Sequence, residues 1–123
     1  MNNNQRGCLA EYIFATIAMQ NGFNVSMPLL DASPYDAIIE KENKLYKIQI
    51  KHVSKNRKKR RNDIQVVLRR SDVAYKLEEV DFFAIYFEEE KCFFVIKNHQ
   101  QKTIRLSIDG IYKNYFNNFA VIS

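Results

Sequence analysis

A carboxylate, an amide and an amine with regular spacing lie in the first half of the chain, at Asp36, Gln49 and Lys51. Hydrolysis of a phosphodiester needs hard oxygen ligands for a metal ion, a nucleophilic water and positive charge beside the transition state. Asp36 and the amide oxygen of Gln49 can bind Mg²⁺, although the amide does so more weakly than a carboxylate. Lys51 can position or deprotonate the water and neutralise a phosphate oxygen.

Two further oxygen donors can join this set. The main-chain carbonyl of Ile50 is a hard oxygen of the kind that such metals accept. Glu11 is the only charged residue in the apolar segment 8–19, and a carboxylate is costly to bury without a cation, a proton or a hydrogen-bond partner. Glu11 could therefore reach the same metal, directly or through water.

Periodicity predicts the elements that must position these residues. The apolar segment 8–19, followed by Asn21-Gly22, indicates a buried helix. Residues 35–41 and 45–53 indicate two strands around a reversal at Glu42-Asn43, and Gln49 and Lys51 point to one side because the side-chain period of a strand is two. If these strands pair as a hairpin, Asp36 meets that side at the open end. Taken singly, Asp36 is equally compatible with a solvated turn, and Gln49 and Lys51 are equally compatible with the solvent-exposed face of a strand.

The remaining segments favour strands. Strands are predicted over residues 23–28, 64–69, 82–87, 92–97 and 103–108, and the last three are expected to form the body of a sheet. Residues 73–80 are compatible with a helical turn or a loop, and residues 111–119 carry aromatic side chains at helix-compatible spacing. Cys8 and Cys92 have no CxxC partner and are interpreted as small core residues, as is His52 on the apolar side of its strand.

Length and composition favour a single folded unit. At 123 residues with 46% hydrophobic content, the chain can form one compact core and is short for two ordinary domains, so we expect one domain over residues 1–123. No run approaches the ~20 apolar residues that a membrane helix needs, and the polar segment that begins at Met1 is unlike a secretory signal. We therefore expect a cytoplasmic protein with no membrane partner.

Positive charge is concentrated in one part of the chain. The net charge is +5, and the basic residues cluster in the middle of the sequence. The predicted DNA-binding residues are Lys55, Arg57, Lys58, Lys59, Arg60 and Arg61, followed by Gln65, Arg69 and Arg70 on the next predicted strand. Such a run is often only a solvated loop. Here it begins four residues after Lys51, so double-stranded DNA held by these charges would lie beside the metal ligands.

Motifs along most of the chain resemble one family, the PD-(D/E)XK nucleases of the restriction-endonuclease-like fold. The resemblance is carried by Gly7-x-x-x-Glu11, Asn21-Gly22-Phe23-x-Val25, Pro34-Tyr35-Asp36, Leu45-Tyr46-Lys47-Ile48-Gln49-Ile50-Lys51, Asp81-Phe82-Phe83-Ala84-Ile85-Tyr86 and Cys92-Phe93-Phe94-Val95-Ile96. Gln49 stands where most members have Asp or Glu, and Pro34 precedes the aspartate by two positions instead of one. The Gln-x-Lys form is similar to bacterial homing endonucleases of group I introns, in which it accompanies active enzymes.

The resemblance implies an α/β fold with a central mixed sheet flanked by helices. It also implies a site formed by Glu11, Asp36, Gln49 and Lys51, with Mg²⁺ or Mn²⁺ as cofactor and cleavage of double-stranded DNA in bacterial cytoplasm, on the nucleoid. Cutting both strands generally takes two sites, so we expect a homodimer or homotetramer. Two alternatives remain: a non-catalytic DNA-binding module of the same fold, and a structure-specific nuclease such as a Holliday junction resolvase.

Overall fold

The protein is described by a computed structural model that covers residues 1–53, 63–107 and 118–122. Its elements are α1 (Asn3–Gln20), β1 (Asn24–Ser26), β2 (Ala37–Lys41), β3 (Lys44–Val53), β4 (Asp63–Val67), β5 (Arg69–Arg70), β6 (Val73–Ala74), β7 (Phe82–Phe87), β8 (Cys92–Lys97), β9 (Thr103–Ser107) and a 3-10 turn (Phe119–Val121). The basic run at residues 55–61 and the aromatic residues at 111–117 lie outside the described ranges. None of the helices in the described part of the chain is long and apolar enough to cross a membrane.

Helix α1 begins earlier than its apolar pattern predicts, because its first turn is capped. Asn2 Oδ1 accepts a hydrogen bond from the Gln5 main-chain N–H over 2.9 Å, and Gln5 Oε1 accepts one from the Asn2 N–H over 2.8 Å. This reciprocal pair satisfies donors that the start of a helix otherwise leaves free. At the other end, Gly22 adopts a φ of 88°, which favours glycine and stops the helix as predicted.

Only one side of α1 is covered, so the prediction of a buried helix is wrong. Phe14 and its neighbours on that side are buried against the sheet, whereas Tyr12 is 63% exposed and Met19 is 57% exposed. The sequence is apolar on nearly every side of this helix, but the sheet can cover only one. Cys8 falls on the exposed part and is not a core residue, while Cys92 is half-buried.

The central sheet has five strands in the order β1-β2-β3-β7-β8. All neighbours are antiparallel except β3 and β7, so the sheet is mixed, as predicted. The predicted hairpin is confirmed: β2 and β3 pair with Ala37 opposite Ile48 and are joined by Glu42 and Asn43, whose φ angles are 55° and 66°. Two successive left-handed residues are typical of the two-residue turns that match the twist of a hairpin.

Different structures cover the two faces of this sheet. Helix α1 packs on one face, where Ile48 and Ile50 are buried, and His52 on the same side of β3 is half-buried instead of being a core residue. The small sheet β4-β9 lies over the other face, and Leu68 and Tyr75, which flank the second small sheet β5-β6, join the same core. Because both faces are covered, every residue of β7 is buried.

Strand β9 does not belong to the central sheet, which corrects the prediction for residues 103–108. It pairs with β4, with Val66 opposite Ile104. The buried side chains of this small sheet, including Ile104 and Leu106, pack against Phe83 and Ile85 of the central sheet. Alternation identifies a strand but not its partner, and here Val66 and its partner Ile104 are 38 positions apart in the sequence.

The segment between β6 and β7, for which the sequence left helical turn and loop open, is a turn held by one buried amide. Asn98, 1% exposed, donates from Nδ2 to the carbonyls of Tyr75, Lys76 and Val80 over 3.1, 3.2 and 2.9 Å. Its Oδ1 accepts from the Gln100 N–H over 2.8 Å. A buried amide with these partners fixes a loop that has no regular ladder of its own.

Candidate active site

Asp36 lies at the open end of the β2-β3 hairpin, one residue before β2. Its N–H donates to the Ile48 carbonyl over 2.8 Å and so extends the pairing of the two strands. Its carboxylate turns toward β3, where Asp36 Oδ2 accepts hydrogen bonds from the Ile50 N–H over 2.8 Å and from Gln49 Nε2 over 2.9 Å. The carboxylate is therefore oriented by the protein before any ligand binds.

Gln49 is brought to Asp36 by the register of the hairpin. Because Gln49 Nε2 donates to the carboxylate, the amide oxygen is the atom of Gln49 with the chemistry to bind a metal. The Ile50 N–H also points to Asp36, and in an extended strand the carbonyl leaves the same edge as the N–H. Since β2 begins opposite Ile48, the Ile50 carbonyl lies at a part of the β3 edge that β2 does not cover.

Lys51 lies two residues beyond Gln49 on the same side of β3, which is the side covered by the small sheets. Burial lowers the pKa of Lys51, and the nearby negative charge of Asp36 opposes that change. The Lys51 Nζ lies 5.9 Å from the centre of the Tyr75 ring. An amine that is partly desolvated and close to a carboxylate has the properties expected of a group that takes or holds a proton during hydrolysis.

Glu11 reaches the same region from α1. Burial raises the pKa of Glu11, and the negative charges of Asp36 and Asp31 raise it further. Burial likewise raises the pKa of Asp36, while the Ile50 N–H and the charge of Lys51 act in the opposite direction. The negative charge of Asp36 therefore acts on Glu11 and disfavours its charged form. The sequence patterns gave no indication of Asp31, which lies in the loop before β2.

The donor set fits a hard divalent cation such as Mg²⁺ or Mn²⁺. It offers the carboxylates of Glu11 and Asp36, the amide oxygen of Gln49 and the carbonyl of Ile50, and all of these are oxygen donors. Within the described ranges, no three His, Cys, Asp or Glu side chains cluster so as to hold a metal. A site here would thus depend on an amide and a carbonyl as well as two carboxylates. A cation would also offset the repulsion that contributes to the raised pKa of Glu11.

The structure brings some of the predicted DNA-binding residues to this site. Gln65 is exposed on β4, and it lines with Lys51 a groove of about 380 Å³ between β3 and β4. Arg70 lies on β5 with its guanidinium carbon 5.5 Å from the centre of the Tyr75 ring, the same ring that Lys51 contacts. Arg69 is half-buried next to it. Lys55, Arg57, Lys58, Lys59, Arg60 and Arg61 lie outside the described residues.

A second cavity of about 380 Å³ lies at the other end of the hairpin, near the turn. It is lined by Phe23, Lys41, Tyr46 and Phe119, among others. The Lys41 amine lies 5.1 Å from the centre of the Phe23 ring and donates to the Asn21 carbonyl over 3.1 Å. Glu42 is the one carboxylate in the described lining of this cavity, which therefore does not offer the set of oxygen donors found at the open end.

Comparison with known proteins identifies the family of the chain. A sequence model of the PD-(D/E)XK endonuclease family matches residues 1–120, nearly the whole chain. The chain belongs to the PD-(D/E)XK endonuclease family. This confirms the family resemblance of the sequence motifs, and the protein is thus an endonuclease by family.

The fold agrees with that of a solved structure. The PD-(D/E)XK chain is similar to the bacterial homing endonuclease I-Ssp6803I, with a TM-score of 0.78 and 22% identity over 99% of this chain and 93% of that one. At this identity the likeness shows a shared fold, and it confirms the predicted α/β architecture with a mixed sheet. No curated protein sequence matches the chain.

Proposed function

We propose that this PD-(D/E)XK nuclease is a Mg²⁺- or Mn²⁺-dependent, sequence-specific endonuclease that cuts both strands of DNA. We further propose that residues 1–123 form one nuclease domain and that the protein is a homing endonuclease of a group I intron, acting on nucleoid DNA in bacterial cytoplasm. The observation that carries the proposal is the set of contacts between Asp36 and β3 at the open end of the hairpin. There Asp36 is held by Gln49 and Ile50, with Lys51 on the same strand.

In this proposal Glu11, Asp36, Gln49 and the Ile50 carbonyl hold the cation. When bound, a divalent cation supplies positive charge to a phosphoryl oxygen and favours deprotonation of water. Asp36 enters the site already oriented by its two hydrogen bonds, so it loses little freedom on binding a ligand.

Lys51 is proposed to act on the attacking water and on the phosphate. Partial burial lowers its pKa, which increases the fraction of neutral amine available to accept a proton near neutral pH. In the protonated form the same amine neutralises charge that develops on a phosphate oxygen. Its position on β3, two residues from Gln49, keeps it beside the oxygen donors.

Cutting two strands supports a symmetric assembly with one site for each strand, and we propose a homodimer or homotetramer. The uncovered side of α1 supports this proposal, since it exposes Leu9, Tyr12 and Met19. Sedimentation or light scattering at micromolar concentration should give a mass that is two or four times that of the chain. A monomer that cuts both strands at one site would contradict this part.

Selection of cleaved sites tests the function. Purified protein is incubated with a random-sequence duplex library and Mg²⁺, and the cleaved ends are sequenced. We expect one long preferred site for the wild type and a loss of about 10²-fold or more in cleavage for Lys51→Ala. Lys44→Ala is the matched control, since Lys44 is an exposed lysine of the same strand at the turn end.

The outcomes separate the alternatives. Wild type and Lys51→Ala that bind DNA but are equally inert would show a non-catalytic binding module and overturn the proposal. Cutting of branched DNA without regard to sequence would instead show a junction resolvase.

A further inference from the structure

The ring of Tyr75 lies where the candidate site meets the predicted DNA-binding strand. Tyr75 follows β6 directly and is 7% exposed. The Lys51 amine lies 5.9 Å from the centre of its ring, and the Arg70 guanidinium carbon lies 5.5 Å from it. Two cations from two different sheets thus contact one aromatic ring.

Contacts other than those with the two cations also hold Tyr75 in place. It packs edge-on against Phe83 of β7, with ring centres 5.9 Å apart and an angle of 62° between the planes. The Tyr75 carbonyl accepts a hydrogen bond from Asn98 Nδ2 over 3.1 Å. Tyr75 is thus held by both its side chain and its main chain, and its position does not depend on a ligand.

The arrangement places two positive charges within a short span. The distance between the Lys51 amine and the Arg70 guanidinium cannot exceed the sum of their distances to the shared ring centre. Consecutive phosphates of a strand advance about 3.4 Å along a duplex. If Lys51 acts at the scissile phosphate, a phosphate within reach of Arg70 therefore lies close to the cut.

We propose that Tyr75 is a positioning residue for cleavage: its ring holds Lys51 at the scissile phosphate and Arg70 at a phosphate one or two positions away on the same strand. This inference rests on the proposed function. It assigns Arg70, which the sequence predicted only as a DNA-binding residue, to the DNA backbone. Like charges beside one ring repel each other, and phosphates bound by the two cations offset that repulsion.

Substitutions of the ring separate a positioning role from a packing role. Tyr75→Phe keeps the aromatic face, whereas Tyr75→Leu keeps an apolar side chain and loses that face. On a duplex that carries the selected site, we expect Tyr75→Leu to lower kcat about tenfold. Tyr75→Phe should keep kcat within about threefold of wild type. Fractions folded are taken from thermal unfolding curves.

The matched control is Phe23→Leu, which removes another buried ring that contacts a lysine. The Lys41 amine lies 5.1 Å from the Phe23 ring centre, at the turn end of the hairpin. This variant also loses stability, but we expect no change in kcat for its folded fraction. An equal fall in kcat for Phe23→Leu and Tyr75→Leu would overturn the proposal, since a general loss of packing would then explain both.

Binding provides a readout that does not depend on cleavage. The Kd for the duplex is measured with Ca²⁺ in place of Mg²⁺ for Tyr75→Leu, Arg70→Gln and the double variant. We expect Arg70→Gln to weaken binding about tenfold in the wild-type background and about twofold or less in Tyr75→Leu. Independent, multiplicative effects of the two substitutions would overturn the proposal.

Neutral methylphosphonates identify the phosphate that Arg70 binds. Each phosphate within two positions of the cut is replaced in turn, and one replacement should weaken binding by wild type about tenfold but leave Arg70→Gln unchanged. If wild type cuts DNA but every methylphosphonate weakens binding by wild type and by Arg70→Gln equally, this inference alone is overturned. Wild type that neither binds nor cuts DNA would overturn the proposed function and this inference with it.

Discussion

In the proposed site, the amide of Gln49 would combine two roles that a carboxylate cannot combine. Its nitrogen donates to Asp36 Oδ2 over 2.9 Å, and its oxygen stays available as a neutral metal ligand. A glutamate here would place negative charge against Asp36 in place of a hydrogen-bond donor. We therefore expect the neutral ligand to hold a metal loosely until a DNA phosphate completes the coordination shell.

Two substitutions of Gln49 test this role. Gln49→Ala should lower cleavage about 10²-fold, because it removes an oxygen donor and the donor that orients Asp36. Gln49→Glu should bind Mg²⁺ more tightly than wild type in the absence of DNA, because it adds charge to the shell. Calorimetric titration with and without DNA measures both affinities. Cleavage by Gln49→Ala at the wild-type rate would remove Gln49 from the metal site.

Glu11 gives a pH-dependent prediction. Burial and the charges of Asp36 and Asp31 raise its pKa in the folded chain above the ordinary value of 4.5. The stability linked to its protonated form is fully present below that ordinary value and is lost as the pH rises through the raised folded pKa. In EDTA at pH 8, Glu11→Gln should therefore raise the Tm, by a few degrees at most because Glu11 is only half-buried and solvent screens its charge.

The control is thermal unfolding of wild type and Glu11→Gln near pH 4, where the difference between their Tm values should nearly vanish. Added Mg²⁺ at pH 8 should raise the Tm of wild type more than that of the variant, since a ligand that binds the folded state stabilises it. A Glu11→Gln Tm below that of wild type at pH 8 in EDTA would contradict the repulsion between the carboxylates.

At the scale of the elements, the loop between β6 and β7 depends on Asn98. Its Nδ2 donates to three main-chain carbonyls, of Tyr75, Lys76 and Val80. Asn98→Ala leaves these acceptors without that donor, and we expect a loss of about 2–4 kcal/mol in the free energy of unfolding. Urea unfolding measures it, with His99→Ala as the exposed neighbouring control. A loss below about 1 kcal/mol would mean that the carbonyls find other partners.

The sequence predicted which segments form strands better than it predicted which strands pair with each other. The β2-β3 hairpin was found because alternation and the Glu42-Asn43 reversal are local signals, and the meeting of Asp36 with Gln49 followed from that register. The pairing of β9 with β4 depends on packing across the second face, which no local pattern contains. Tyr75 was missed for the same reason: its segment has no periodicity, and its contacts come from other parts of the chain.

At the scale of the whole molecule, positive charge should dominate DNA affinity. If about six phosphates are neutralised, the plot of log K against log salt concentration should have a slope of roughly −5, using about −0.9 per contact. Replacing Lys58, Lys59 and Arg60 with glutamine should bring the slope toward about −2 to −3. Fluorescence anisotropy at several salt concentrations measures it, and an unchanged slope would show that these residues do not contact phosphates.

The order of the strands also has a consequence for how the chain folds. The turn between β2 and β3 is two residues long, so Asp36 and Gln49 can meet in a hairpin that forms within about 1–10 μs. The parallel partner of β3 is far along the chain, since the Lys47 N–H donates to an Asp81 carboxylate 34 positions away. Contacts of that range form more slowly, because the loop between them must close first. We therefore expect the oxygen donors of the hairpin to assemble early in refolding, and Lys51 to reach the Tyr75 ring only after β7 has docked.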